Sequence, residues 1–341
     1  MQSHNHDRIL LTGGAGLIGS AICWRLNQLG YQNIVIVDHL GCGVKWQNLR
    51  ALNFQDYFEK DQFLPQLEKL PRFNAILHLG ACSSTTEEDG SYLADNNFAY
   101  SKALAEYAQK YHARMIYASS AATYGDGANG FSDDESLIPK LRPLNKYGYS
   151  KQLFDQYLLN NGYFRGGAGH NQGGTFVGVK FSNVFGPNEY HKGAMRSMVL
   201  RSFEQIQATG KVQLFQSHRP EYRHGEQVRD FLYVKDAADM TIFFLQGGRH
   251  CCGIYNLGYG AVRTWLDLAK AMFTALGKTA EIEFIPMPEN LRDKYQYYTC
   301  LDITKLRRAG FTQRLLTLEE AVADYARYLP DNAHLGEIAE G

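Results

Sequence analysis

Short apolar runs alternate with amphipathic stretches along the first half of the chain. Buried parallel strands are apolar on both faces, so uninterrupted apolar runs predict such strands. The predicted strands cover residues 9–12, 34–38, 75–79, 114–118 and 176–181, and the predicted helices lie near residues 17–29, 93–110 and 147–160. This alternation indicates an α/β fold with parallel strands and right-handed crossovers.

The pattern changes after Gly186 and Pro187. Residues 187–227 are polar and irregular apart from a helical stretch near 195–208. A strand at 230–234 and a helix at 236–246 return to the first pattern; a helix at 264–276, a strand at 281–285 and helices near 302–309 and 317–328 follow. We predict that residues 1–186 and 228–258 form the larger domain. Residues 187–227 and 259–341 are predicted to form a smaller C-terminal substrate-binding lobe.

A glycine-rich turn follows the first predicted strand. Residues 12–19 read TGGAGLIG, so Gly14, Gly16 and Gly19 fit G-x-G-x-x-G, while Gly13 with the last two fits T-G-x-x-G-x-x-G. Such a turn brings bare N–H groups at a helix N-terminus close to a pyrophosphate. Asp38 ends the second predicted strand, at the spacing of the acidic residue that binds the ribose of a dinucleotide. The pattern predicts a doubly wound parallel (Rossmann) sheet that binds a dinucleotide.

The composition limits the partners of the chain. The 341 residues include 35 basic and 35 acidic side chains, and no basic block indicates nucleic-acid binding. The uncharged residues 9–24 contain four glycines and are too few to cross a bilayer. The six cysteines form no C-x-x-C pair and the polar N-terminal residues give no export signal. We therefore expect reduced thiols, a cytoplasmic location, and no metal, nucleic-acid or membrane binding.

A tyrosine and a lysine stand four residues apart in the predicted helix at 147–160. Tyr147 and Lys151 share one helix face, and a lysine ammonium beside a phenol lowers the pKa of the phenol. The tyrosine then becomes a general base for a substrate hydroxyl at neutral pH. Ser120 lies just past an apolar strand, where its hydroxyl can hydrogen-bond the reacting oxygen. In the loop after the third predicted strand, Cys82 is interpreted as a packing residue, because no histidine partner is evident.

These motifs together resemble the extended short-chain dehydrogenase/reductase family, whose members bind a nicotinamide cofactor and act on nucleotide sugars. A narrower resemblance, from about residue 8 to 328, is to the heptose 6-epimerases of that family. It rests on HLGACSSTTE at 78–87, the run at 117–125, PLNKYGYSKQLFD at 143–155, NVFGPNEYHKG at 183–193 and RDF at 229–231. The ACSSTT and HKG segments are the most specific, because most sugar epimerases lack them.

The resemblance implies NADP as the cofactor, with NAD as the alternative. Asp38 repels a 2′-phosphate and by itself favours NAD, whereas Lys45 and Lys60 match family lysines near that phosphate. The residues implied at the cofactor are Gly13, Gly16, Leu17, Ile18, Gly19, Asp38, His39, Lys45, Lys60, Leu79, Gly80, Ala81, Cys82, Ser83, Asn96 and Lys151.

The resemblance also implies the catalytic and substrate-binding residues. Tyr147 is one acid/base and Lys192 is the second, with Ser120 and Lys151 assisting. Arg229 suits a diphosphate, because its planar fork matches phosphate oxygens. The residues implied at the ADP-sugar are Ser120, Asn183, Lys192, Ala194, Arg201, Phe215, Gln216, Ser217, Arg229 and Tyr295.

Three features depart from the family pattern, and all of them concern the ADP-sugar contacts. Ala194 stands where the family often has serine, and Arg201 stands where histidine is common. Residues 217–227 form a longer segment than in the shorter relatives.

The implied reaction is inversion at C6 of the heptose in ADP-D-glycero-β-D-manno-heptose, for lipopolysaccharide synthesis. The sugar carbon is oxidised transiently to a ketone with tightly bound NADP, and a homo-oligomer is expected. The alternatives among enzymes are a UDP-sugar 4-epimerase or a related reductase. A dehydratase is disfavoured, because Ala121 and Ala122 stand where dehydratases carry an acidic pair. The alternative from another class is a non-catalytic dinucleotide-binding sensor, against which the retained Ser120, Tyr147 and Lys151 argue.

Overall fold

The computed structural model describes residues 6–165, 175–248, 250–292 and 295–339. Its strands, in chain order, are β1 (Ile9–Thr12), β2 (Ile34–Asp38), β3 (Asp56–Glu59), β4 (Ala75–His78), β5 (Arg114–Ser120), β6 (Phe176–Phe181), β7 (Asn183–Phe185), β8 (Val212–Phe215), β9 (Val228–Arg229), β10 (Phe231–Tyr233), β11 (Gly253–Leu257), β12 (Arg263–Thr264) and β13 (Ile282–Ile285).

The helices come mainly between these strands. They are α1 (Leu17–Gln28), α2 (Lys60–Leu67), α3 (Gly90–Leu93), α4 (Tyr100–Tyr111), α5 (Lys146–Asn160), α6 (Met198–Thr209), α7 (Val234–Leu245), α8 (Trp265–Ala275), α9 (Glu289–Arg292), α10 (Thr304–Arg308) and α11 (Leu318–Ala326). A π-helical segment, Ala94–Ala99, joins α3 to α4, and 3₁₀ segments cover Val44–Leu49, Ala121–Tyr124, Glu135–Lys140 and Tyr190–Met195.

A seven-stranded parallel sheet forms the centre of the molecule. Its strand order is β3-β2-β1-β4-β5-β6-β11, and β1 pairs with β2 on one side and with β4 on the other. The chain therefore reverses its direction of winding between β1 and β4. Ligands of such sheets bind beyond the carboxyl ends of the strands at this switch point, so the glycine turn after β1 lies where a ligand is expected.

Helices cover both faces of the sheet because successive strand residues point to opposite sides. In β1, Ile9 and Leu11 enter the core that contains α1 and α7, whereas Leu10 enters the core that contains α2, α4 and α5. All three side chains are fully buried. Apolar contacts on both faces thus hold the strand in register and fix the position of the turn that follows it.

Three two-stranded sheets lie outside the central sheet. β7 pairs with β10 and β8 with β13 in parallel, and β9 pairs with β12 antiparallel. α6 and α11 both contact α8. Within the part of the chain that the structure describes, no helix combines the length and apolar character needed to cross a membrane.

The predicted α/β fold with a doubly wound parallel sheet is confirmed, and the strands predicted in the first half all occur. The prediction omitted the strands β3, β7, β8, β9, β11 and β12 and the helices α2, α3 and α9. β3 reads Asp-Tyr-Phe-Glu at the sheet edge and is only half-buried, so it lacks the apolar run of a central strand. The division into a larger domain and a smaller lobe stays a prediction.

Candidate active site

The glycine turn between β1 and α1 presents bare backbone. Gly13 has φ +71°, and a Cβ added there would lie 2.5 Å from the Gly80 nitrogen. A Cβ on Gly19 would lie 2.0 Å from the Gly13 carbonyl oxygen. Gly16 is the N-cap of α1 and has no side chain to satisfy the first helical N–H groups. The turn therefore has the close approach and the free N–H donors that a pyrophosphate requires.

Asp38 lies beside this turn with both carboxylate oxygens occupied. Oδ2 accepts a 2.7 Å hydrogen bond from the Ala15 N–H, and Oδ1 accepts one of 2.7 Å from the His39 N–H. The Lys45 ammonium forms an ion pair with Oδ1 and lies 3.2 Å from the His39 carbonyl oxygen. The carboxylate predicted at the ribose is thus in place, and a lysine neutralises its charge.

A second cation lies further along this end of the cleft. Lys60 Nζ donates a 2.8 Å hydrogen bond to Asn96 Oδ1 from the π-helical segment. His39 Nδ1 lies 3.2 Å from Glu59 Oε2. Two adjoining cavities form the cleft. The smaller one, at this end, is lined by Thr12, Gly13, Val37, Asp38, His39, Lys45, Lys60, Gly80, Ala81, Cys82, Tyr92, Asn96 and Tyr100.

The larger cavity, of about 510 Å³, joins the glycine turn to the predicted catalytic residues. Seven separated parts of the chain meet in its wall: the β1 turn, the end of β2 with Lys45, the β4 loop, the end of β5, the start of α5, the junction of β6 and β7, and the segment before α6. The lining residues predicted from the sequence are Gly13, Gly16, Leu17, Ile18, Gly19, Asp38, Lys45, Leu79, Gly80, Ala81, Cys82, Ser83, Ser120, Tyr147, Lys151 and Lys192. Every residue predicted at the cofactor therefore lines one of the two adjoining cavities.

Ser120, Tyr147 and Lys151 meet in this wall. α5 begins at an Asn145 cap whose Oδ1 accepts from the Gly148 N–H at 2.7 Å, which places Tyr147 and Lys151 in the first two turns. Burial raises the pKa of Tyr147, and a hydrogen bond with Ser120 opposes that rise. The pKa lowering predicted from Lys151 is wrong. Lys151 Nζ instead donates a 2.8 Å hydrogen bond to the Ala118 carbonyl, and burial lowers its own pKa to about 8.

Lys192 lines the same cavity from the 3₁₀ segment before α6. Its side chain is half-buried and makes no hydrogen bond or ion pair within the part of the chain that the structure describes. Burial lowers the pKa of Lys192, while the nearby Glu189 carboxylate raises it. The cavity wall therefore contains two titratable side chains from separate parts of the chain, Tyr147 from α5 and Lys192 from this segment.

Apart from Ser120 and Lys192, the residues predicted at the ADP-sugar lie outside these cavity walls. Arg229 is buried, and its guanidinium carbon lies 5.2 Å from the Tyr295 ring centre and 5.6 Å from that of Trp265. Phe215 packs edge-on against Tyr295 at 6.5 Å. Among the described residues, the only hydrogen bond from the Arg229 side chain goes to the Val228 carbonyl, so most of its N–H donors remain available.

The remaining predicted sugar residues divide by location. Gln216 donates its backbone N–H to the Ile285 carbonyl at 2.8 Å, which places it between β8 and β13, and the neighbouring Ser217 N–H donates to His224 Nδ1 at 3.0 Å. Arg201 donates to the Ala194 carbonyl at 2.9 Å, so these two departures from the family pattern are neighbours. Asn183 begins β7 and is exposed. The structure does not bring these residues into the catalytic cavity.

A family model described as the NAD dependent epimerase/dehydratase family matches residues 9–258. The chain belongs to this family. It is 46% identical over 321 residues to the ADP-L-glycero-D-manno-heptose-6-epimerase of Nitratidesulfovibrio vulgaris, with 93% of this chain and 96% of that protein covered.

Two solved structures extend the likeness. The ADP-L-glycero-D-manno-heptose-6-epimerase of Helicobacter pylori has a TM-score of 0.76 at 25% identity, with 95% of this chain and 96% of that chain covered. The UDP-glucose 4-epimerase of Thermus thermophilus, in complex with NAD, has a TM-score of 0.73 at 26% identity, with 95% and 99% covered. The predicted membership of an epimerase family with a nicotinamide cofactor is confirmed.

In this epimerase-family chain, the sequence did not predict a buried ionic cluster that lies next to Ser120. Lys180 on β6 contacts Asp155 on α5 at 2.5 Å, and both side chains are at most 1% exposed. Ser119 donates to the same carboxylate at 2.7 Å. Asp155 follows Lys151 by one helical turn on α5. This spacing is the one signal in the sequence that could have indicated that Asp155 lies near the site.

Two further buried residues support the cofactor loops without a sequence signal. His78 joins the Thr12 hydroxyl, at 2.6 Å, to the Ser101 hydroxyl, at 2.7 Å. Asn97 Oδ1 accepts from the Cys82 N–H at 2.8 Å, and its Nδ2 donates to the Cys82 carbonyl at 2.9 Å. His78 therefore joins the end of β1 to α4, and Asn97 holds the turn after β4 against the π-helical segment, where Cys82 is half-exposed.

Proposed function

We propose that this chain inverts C6 of the heptose in ADP-D-glycero-β-D-manno-heptose to the L-glycero form, with tightly bound NADP. The observation that carries the proposal is the single cavity that joins the glycine turn to Ser120, Tyr147, Lys151 and Lys192. The relatives named as heptose epimerases support the choice of sugar. The product would enter lipopolysaccharide synthesis.

Tyr147 and Lys192 are assigned as the two acid/base groups. A nicotinamide bound in this cavity would supply hydride transfer, so that C6 of the sugar could be oxidised to a ketone and reduced again on its other face. The two epimers present their hydroxyl on different sides of that carbon, so inversion uses two groups from different parts of the wall. Ser120 shares a hydrogen bond with Tyr147, which fits a serine that guides the proton of the reacting oxygen. Lys151 positions the end of β5 through the Ala118 carbonyl.

The substrate diphosphate is assigned to Arg229. A guanidinium held between two aromatic rings keeps its fork in one orientation, which favours bidentate contact with phosphate oxygens. Burial lowers the pKa of Arg229, and no carboxylate among the described residues forms an ion pair with it, so a dianionic ligand would stabilise its charge. Phe215, Gln216, Ser217 and Tyr295 would surround the nucleotide, and Asn183, Ala194 and Arg201 would complete the sugar contacts.

NADP is favoured over NAD by the charges at the adenosine end. Lys45 already neutralises Asp38, which removes the repulsion that a lone carboxylate would exert on a 2′-phosphate. Lys60 and His39 lie on the same side of the cleft. A phosphate there would meet the ammonium groups of Lys45 and Lys60. The Glu59 carboxylate, which contacts His39, would repel that phosphate.

We also propose a cytoplasmic homo-oligomer. All six cysteines are unpaired thiols, as expected in a reducing compartment. Sedimentation of the purified protein at several concentrations measures the oligomeric state, and a monomer throughout would contradict this part of the proposal.

The activity test incubates the purified protein with ADP-D-glycero-β-D-manno-heptose and follows both epimers by proton NMR. We expect interconversion without net release of NADPH, and no interconversion of UDP-glucose with UDP-galactose. A UDP-sugar 4-epimerase would show the reverse, and a dinucleotide sensor would turn over neither substrate. Titration with NADP and NAD separately measures the cofactor preference.

Substitutions at the two acid/base groups test their roles. Tyr147→Phe should lower turnover by at least about 100-fold, the range expected for a lost general acid/base. Tyr149→Phe is the matched control, because Tyr149 lies on the same helix but is 58% exposed. Lys192→Met should also abolish most turnover, with the exposed Lys211→Met as its control. Near-full activity of Lys192→Met would remove Lys192 from the mechanism.

A further inference from the structure

A buried amide connects the glycine turn to residues 188–196, the Lys192 segment. Asn48, in the 3₁₀ segment Val44–Leu49, is 1% exposed. Its Nδ2 lies 2.8 Å from the Ala15 carbonyl oxygen and 3.0 Å from that of Asn188. The same nitrogen lies 3.2 Å from His191 Nδ1. Carbonyl oxygens accept only, so the nitrogen and not the oxygen of the amide must face them, which fixes the orientation of the side chain.

A second buried amide continues this connection. Asn188 is fully buried, and its backbone has φ +78°, a conformation that few residues other than glycine adopt. Its Nδ2 donates to the Ser20 hydroxyl on α1 at 2.9 Å, and its Oδ1 accepts from the Leu335 N–H at 3.0 Å. Three distant parts of the chain are therefore held against one residue, four positions before Lys192.

The segment beyond this anchor has few contacts of its own. Gly193 has φ +51° and ψ −123°, which breaks the 3₁₀ segment, and Gly193 and Ala194 are exposed. The Lys192 N–H donates to the Glu189 carbonyl at 3.0 Å, which ties Lys192 to the residue after Asn188. The position of the Lys192 ammonium in the cavity therefore depends on where residues 188 and 189 are held.

We propose that Asn48 and Asn188 are positioning residues that set the distance between the Lys192 segment and the glycine turn. The inference rests on the proposed role of Lys192 as the second acid/base. The NH₂ group of Asn48 donates to the Ala15 carbonyl of the glycine turn and to the Asn188 carbonyl of the Lys192 segment. The turn and the segment therefore stay in contact as long as the Asn48 amide is present. Without it, the Ala15 carbonyl loses its Asn48 donor and the Asn188 carbonyl keeps its contact with the His191 ring alone, so the direct link between the two segments is lost and they must separate or admit water.

The expected effect falls on turnover rather than on substrate binding. A shift of about 1 Å in a reacting group costs on the order of 100-fold in rate. We expect Asn48→Ala and Asn188→Gly to lower kcat by about 10- to 100-fold, with KM for the ADP-heptose changed by about twofold or less, because the diphosphate is assigned to Arg229. Glycine accepts the positive φ of residue 188 without strain, so the second variant removes the amide alone.

Asn27→Ala is the matched control. Asn27 Nδ2 also donates to two carbonyls, those of Tyr31 and Asn53, at 3.1 and 2.8 Å, but it has no contact with the Lys192 segment. Hydrogen exchange of residues 189–196 should rise in Asn48→Ala and Asn188→Gly and stay unchanged in the control. If Asn48→Ala fails to fold, Asn188→Gly carries the same test.

Combination with Lys192→Met separates this inference from the proposed function. If Asn48 acts through Lys192, adding Asn48→Ala to Lys192→Met should change the residual turnover by about twofold or less. The inference is overturned if Lys192→Met is inactive while Asn48→Ala and Asn188→Gly keep kcat within about twofold of the unsubstituted protein. Near-full activity of Lys192→Met would overturn both the assignment of Lys192 and the positioning role.

Discussion

Replacement of Lys180 by methionine tests the buried ionic cluster next to Ser120 and Lys151. Lys180 Nζ lies 2.5 Å from Asp155 Oδ2, 2.7 Å from the Thr123 hydroxyl and 3.1 Å from the Ser119 hydroxyl. The Tyr117 hydroxyl donates to the other carboxylate oxygen at 2.9 Å. The cluster joins β5, β6 and α5, and Ser120 and Lys151 lie on two of these elements. Methionine fills nearly the same volume but leaves the carboxylate without its cation.

The magnitude follows from burial. The two side chains are 1% and 0% exposed, so water cannot replace the lost ammonium. Removal of one partner of such a buried pair costs about 3–5 kcal/mol, whereas replacement of both charges is often nearly neutral. We therefore expect Lys180→Met to lower the free energy of unfolding by about 3–5 kcal/mol. Lys180→Met combined with Asp155→Asn should recover most of that loss.

Urea unfolding followed by far-ultraviolet circular dichroism measures these differences at one pH. The control is Lys110→Met, because Lys110 pairs with Glu68 while the two side chains are 59% and 52% exposed. Exposed pairs contribute about 1 kcal/mol or less, so this control should change little. A loss below about 1 kcal/mol in Lys180→Met, or no recovery in the double variant, would show that the two buried charges do not depend on each other.

Three further predictions concern the cofactor cleft. Gly19→Ala places a methyl group 2.0 Å from the Gly13 carbonyl oxygen, so the purified variant should carry no bound nucleotide. The control Gly43→Ala should retain the nucleotide, because nothing lies within 4 Å of a Cβ at residue 43. Lys45→Ala should lower the NADP-to-NAD affinity ratio by about tenfold or more in a binding titration, and an unchanged ratio would remove Lys45 from the 2′-phosphate site. Burial lowers the pKa of His78 to about 3, so the folded protein should lose stability as the pH falls from about 6.5 towards 3, by about 1.4 kcal/mol per pH unit. His78→Gln should flatten that dependence in urea unfolding at pH 7 and pH 5.

The parts of the fold and site that the sequence predicts are those encoded by neighbouring residues. An apolar strand, a glycine turn and a helix follow one another within residues 9–28, and Asp38 ends the next strand at the ribose spacing, so this local order predicts a dinucleotide site. Tyr147 and Lys151 are one helical turn apart, which is visible without coordinates. Ser120 is predicted because it directly follows an apolar run.

The remaining parts depend on pairs that are distant along the chain. Lys180 and Asp155 are 25 residues apart, and Asn48 and Asn188 are 140 apart. A lysine and an aspartate look like solvated surface charges in a sequence, and an asparagine looks like a turn residue. Lys180 and Asp155 become buried partners only when β6 packs against α5. Asn48 and Asn188 become buried partners only when the 3₁₀ segment Val44–Leu49 packs against the Lys192 segment.

The pKa of Tyr147 shows why spacing along a helix is not enough to predict chemistry. The sequence predicts that the lysine four residues later lowers this pKa, but burial disfavours the tyrosinate and raises it. The same effect disfavours the ammonium of Lys192 and lowers its pKa. Burial thus shifts both groups towards their uncharged forms, the phenol and the amine. Under the proposed roles of Tyr147 and Lys192, inversion of a carbinol centre uses one proton donor and one proton acceptor in each direction, and these two side chains supply them from different parts of one cavity wall.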